Sequence, residues 1–132
     1  MVQLSSDAPV VVSHPRKGSN NQVDFIRFLL CLIEDGHLQS GDILIVDNAS
    51  VHAGRATNSM LLDLLTANNV KLIFLPTYSP ELNPIELVFG WVKRYLHENS
   101  SDQPLLFDIK AAFSLVTPEL VKKCYYKCLF EF

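Results

Sequence analysis

Two short runs, ILIV at 43–46 and VKLIFL at 70–75, restrict this chain more than any other feature. Neither alternates apolar with polar, the pattern of a strand covered on both faces in a parallel sheet. Between them RATNSMLLDLLTANN reads as a helix, with Met60, Leu61, Leu64 and Leu65 turned inward and Asn68–Asn69 near its stop. Strand, helix, strand is a βαβ unit, whose crossover is right-handed in nearly all cases, so the strands lie parallel and side by side. Their carboxyl ends then share one edge. Asp47 ends the first strand there, and PTYSPELN leaves the second from the same side.

The flanking segments fit an α/β domain. PVVVS at 9–13 predicts a strand and HPRKGSNN a loop. From Val23 to Gly36, Phe25, Phe28, Leu29, Leu32 and Ile33 recur at helical spacing. After the three prolines of LPTYSPELNP a further helix begins, with Asn83 as N-cap, Pro84 at the first helical position and Glu86 in the first turn. Its apolar stripe is Ile85, Val88, Phe89, Val92 and Leu96, and Glu86, Gly90, Lys93 and His97 share another face. A chain of 132 residues with 48% hydrophobic and 19% charged residues has the length and composition of one folded domain, not of a disordered segment.

The chemistry centres on two carboxylates. Asp47 and Glu86 are expected to converge at the carboxyl edge of the sheet, where open α/β folds place their sites. Each also has a plain structural reading. Asn83-x-x-Glu86 is the spacing of a capping box, and Asp47–Asn48 suits an Asx-turn. As a pair they suit a hard cation such as Mg²⁺, which takes one or two carboxylates plus substrate phosphates. Two such ions about 3.5–4 Å apart stabilise the attacking and leaving oxygens at a phosphodiester.

Other features narrow the class. A net charge of −3 argues against a surface that is basic throughout, and the pairs Arg16–Lys17, Lys93–Arg94 and Lys122–Lys123 read as solvated surface. Cys31, Cys124 and Cys128 form no disulfide framework, and Cys124 with Cys128, one helical turn apart without a second ligand pair, read as buried thiols before zinc ligands. No signal peptide and no membrane-spanning run is apparent, so an intracellular protein with no membrane partner is expected.

DNASVH at 47–52, followed by LPTYSPELNPIELVFGWVK at 75–93, closely resembles the DDE-superfamily endonuclease domain of mariner-like and insertion-sequence transposases, with the motifs in that family's order. NQVDFIRFLLCLI resembles the family's helix before the second Asp, and SLVTPELVKKCYYKC the helical tail of some members. The resemblance implies an RNase H-like fold and an Asp, Asp, Glu triad that uses Mg²⁺ or Mn²⁺ to nick DNA and join the freed 3′ end to a target. Asp47 matches the second Asp and Glu86 the Glu, as catalytic residues and metal ligands. Asn48, His52 and Asn83 are expected to support the site, and Lys93, Arg94 and His97 are candidates for DNA contact. Localisation would be nuclear in a eukaryote and cytoplasmic in a bacterium.

The match departs from the family at the amino-terminal end. The first Asp of the family lies on an initial strand, with two more strands and a helix before the second. Here Asp7 precedes only PVVVS, which by position resembles the third strand, and Asp24 reads as the start of a helix. The expected fold is therefore a truncated RNase H-like α/β core: a short strand and loop at 1–22, a partial catalytic core at 23–98 built on the parallel βαβ unit with flanking helices, and a helical tail at 99–132 packed on the same domain. Without the first strands a sheet edge would stand open to pairing with another chain or a second copy. The functional expectation is a fragment or remnant of a DDE transposase core, inactive alone. The alternatives are a non-catalytic DNA- or protein-binding module derived from one, a receiver-like phosphoacceptor suggested by ILIVDN but lacking an acceptor Asp after VKLIFL, and a purely structural interaction protein.

Overall fold

Asn21 begins the first helix, α1 (Gln22–Glu34), through a reciprocal capping box: its side chain accepts from the Asp24 amide at 3.0 Å, and Asp24 accepts from the Asn21 amide at 3.0 Å. Asp24 is thus occupied with starting a helix. In this computed structural model the described residues are 2–3, 10–13, 21–47, 55–99 and 101–130. They fall into two compact units, Gly18–Ser79 and Met1–Lys17 with Pro80–Phe132.

The first unit is the βαβ module. Helix α1 ends at Gly36, whose φ of 73° allows the amides of Gly36 and His37 to turn back onto the carbonyls of Ile33 and Leu32. Strand β3 (Ile43–Val46) follows, then α2 (Arg55–Ala67) and β4 (Lys71–Phe74). Asn69 stops α2 the same way, at φ 53°, with the Val70 amide on the Leu65 carbonyl at 2.9 Å. The strands pair in parallel with Ile43 opposite Lys71 and Val46 opposite Phe74. The Gly41 amide bonds the Asn69 carbonyl at one end of the module, and the Leu75 amide bonds the Val46 carbonyl at the other.

Ile26, Leu29 and Leu32 of α1, Leu61 and Leu65 of α2, and Leu44 and Val46 of β3 are buried. The stripe on α2 is narrower than its sequence suggests: Leu61 and Leu65 are inside, Leu64 is half-buried and Met60 is exposed. The two-sided burial expected of β3 does not hold either. Ile43 is 56% and Ile45 50% exposed, because side chains alternate across a strand and only the face bearing Leu44 and Val46 is covered.

The second unit is mainly helical. The strand expected at 9–13 is confined to β2 (Val10–Val11), which pairs antiparallel with β1 (Val2–Gln3). A short 3₁₀ turn at Pro80–Leu82 leads into α3 (Pro84–Glu98), followed by α4 (Leu105–Ser114) and α5 (Pro118–Phe130). Both α4 and α5 pack on α3. Val88, Val92, Ala112 and Cys124 form the core, flanked by Trp91, Tyr95, Phe113 and Leu120, with Phe89 edge-on to Phe113 at 6.3 Å between ring centres. The architecture is a mixed α/β fold, five helices among the described residues with a two-stranded parallel sheet.

Candidate functional site

Asp47 is the first residue beyond β3 and is solvent-exposed. Its position is fixed by the bond from the Leu75 amide to the carbonyl of Val46, at 2.8 Å, which carries the parallel ladder to the last residue before it. The chain leaves β4 at the level of Asp47 and enters the proline-rich segment. Tyr78 there has φ 59°, a left-handed conformation that a bulky residue seldom adopts, and its side chain is fully in solvent. Nothing in the residue order marked Tyr78.

Glu86 belongs to the other unit and is set by local chemistry. Asn83 caps α3 with its side chain, accepting from the Ile85 amide at 3.4 Å, and Pro84 occupies the first helical position. The capping box suggested by Asn83-x-x-Glu86 does not form. The Asn83 amide, which the Glu86 carboxylate would need, donates instead to the Pro80 carbonyl at 3.0 Å in the 3₁₀ turn. Glu86 is left exposed, with its charge near the positive end of the α3 dipole. Gly90, Lys93 and His97 are exposed with it, and Arg94 as well. Asn48 and His52 lie outside the described residues, as does Asp7.

The donors at Asp47 and Glu86 are carboxylate oxygens, hard ligands of the type Mg²⁺ and Mn²⁺ take. Among the described residues, no three His, Cys, Asp or Glu side chains gather as a metal-binding group. Cys124 and Cys128 are poor candidates for metal ligation: both are buried on the inner side of α5, and burial pushes their thiols above the ordinary value, against a smaller opposing pull from Lys127. No helix among the described residues is long and apolar enough to cross a membrane.

A family model for the DDE superfamily endonuclease matches residues 1–105, a span that includes Asp47, the proline-rich segment and all of α3. The chain belongs to the DDE endonuclease superfamily. A search of curated proteins and a search of solved structures each return no match. Membership implies an RNase H-like fold, with which the mixed α/β architecture and its parallel βαβ module agree. DDE enzymes act on DNA and generally use divalent metal ions.

Proposed function

We propose that this chain is a remnant of a DDE transposase core, in which Asp47 and Glu86 are the second and third acids of the triad and do not cleave DNA without the first. The observation that carries the reading is the family match over residues 1–105, a span in which Asp47 and Glu86 both lie. Two local facts support it: Asp47 stands at the carboxyl end of a parallel strand, and Glu86 is not consumed by the cap of its own helix.

In this reading Asp47 and Glu86 supply carboxylate oxygens to Mg²⁺ or Mn²⁺. Divalent ions held by these carboxylates would supply charge stabilisation at a scissile phosphodiester. Asn48 and His52 would support the site without binding metal directly, and Asn83 holds the start of α3 so that Glu86 is presented in its first turn. Lys93, Arg94 and His97, all exposed on α3, take phosphates of the DNA backbone. A sheet edge left open would pair with another chain or with a second copy.

The test is nicking of supercoiled DNA in Mg²⁺ and in Mn²⁺ by the folded chain, with Asp47→Asn and Glu86→Gln in parallel. No nicking by any of the three is expected. Nicking abolished by both substitutions would show that the chain has a complete site and overturn its inactivity alone. Nicking indifferent to both would remove these acids from the chemistry.

A further inference from the structure

Helix α5 has two opposite faces of different chemistry, and it lies beyond the residues that the family model matches. Val121, Cys124 and Cys128 are buried on one side. The other carries Lys122, Lys123, Tyr126, Lys127 and Phe130, all exposed and within two helical turns. Tyr126 is 58% and Phe130 68% exposed, and the two rings lie 5.1 Å apart at 38°. Lys122, Lys123, Tyr126 and Lys127 line an open concavity of about 470 Å³. The single acid of the helix, Glu119, sits in its first turn, where it offsets the helix dipole and leaves three lysines in excess further along.

Three lysines alone would be ordinary solvated surface. Two large aromatic rings left in water among them are not accounted for by solubility, because each exposes more than half of its area. Ammonium groups beside two exposed, mutually tilted rings suit a strand that offers phosphates and unpaired bases together. A duplex satisfies only the lysines, since its base faces are hidden in the stack.

We propose that the outer face of α5 binds single-stranded DNA, with Lys122, Lys123 and Lys127 on successive phosphates and Tyr126, backed by Phe130, stacking on a base. The surface would retain a strand freed by cleavage. The choice of DNA over other polyanions rests on the family reading above, whereas the binding itself needs neither Asp47 nor Glu86.

The experiment is fluorescence anisotropy of the full chain with a labelled oligothymidylate of about 16 nucleotides, in EDTA, over a series of salt concentrations. The expected log–log salt slope is about −2, as three phosphate contacts on a single strand give. Combined Lys122→Gln, Lys123→Gln and Lys127→Gln should remove that slope and about a hundred-fold of affinity at 0.1 M salt. Tyr126→Ala should weaken binding about five-fold or more while leaving the slope unchanged. Ile45→Thr on the exposed face of β3 should bind as the parent does, and because binding is read in EDTA, absence of nicking leaves this proposal standing. The proposal is overturned if folded protein does not bind the oligonucleotide, if Lys71→Gln in the other unit costs as much as the triple change, or if a duplex of equal length binds more tightly with no effect of Tyr126→Ala.

Discussion

The two acids stand in units that solve the same problem differently. In the βαβ unit, Asp47 follows a strand with only one face covered, so Leu44 and Val46 are inside while Ile43 and Ile45 remain half in solvent. In the helical unit, α3 is packed by both α4 and α5, and Val88 and Val92 are fully enclosed. The position of Asp47 depends on ladder bonds between distant residues, that of Glu86 on a cap and a proline within six residues of it. An acid held by long-range pairing is exposed to any loss of its sheet. An acid placed by local bonds keeps its position as long as its helix forms.

The largest expected effect breaks the first unit from inside. Leu65→Ala should cost about 2–5 kcal/mol, measured by urea denaturation, whereas Ile45→Thr on the open face should stay within about 0.5 kcal/mol. Comparable losses at both positions would mean that the second face of β3 is covered after all. In the helical unit Asn83→Ala should cost about 0.5–1 kcal/mol, at the low end for a cap because its bond to Ile85 is 3.4 Å long.

Alkaline pH probes the core of the helical unit alone. Burial raises the thiols of Cys124 and Cys128, so the folded state holds those protons more strongly than the unfolded chain. Their contribution is whole below the ordinary thiol value of 9.0 and is lost as pH rises through the higher folded value. Thermal unfolding should therefore show stability falling above about pH 9, and Cys124→Ala with Cys128→Ala should flatten that limb. A gain is expected at Gly90, where an added Cβ meets nothing within 4 Å: Gly90→Ala should stabilise α3 by about 0.8–1 kcal/mol.

Much of this was legible in the residue order wherever a local rule suffices. The βαβ module, the left-handed stops at Gly36 and Asn69, and the Asn83–Pro84 start of α3 all follow from neighbouring residues. What failed needed knowledge of the neighbours in space. ILIV reads as covered on both faces, yet only one face of β3 is. Met60 reads as core, but the buried stripe of α2 is too narrow to include it. Two helices start with Asn followed three residues later by an acid, and they differ for an instructive reason. Asn21 and Asp24 form one because the Asn21 amide takes the Asp24 carboxylate, while the Asn83 amide is taken by Pro80. A proline three residues upstream thus decided whether Glu86 stayed available.

The proposed function has Asp47 and Glu86 serve one metal site. Its most direct test is Mn²⁺ binding followed by electron paramagnetic resonance on the parent chain, Asp47→Asn, Glu86→Gln and the double variant. Loss of the bound-ion signal in each single variant, with no further loss in the double, is the predicted result. Binding unchanged in either single variant, or losses that add in the double, would show that the two acids do not share an ion.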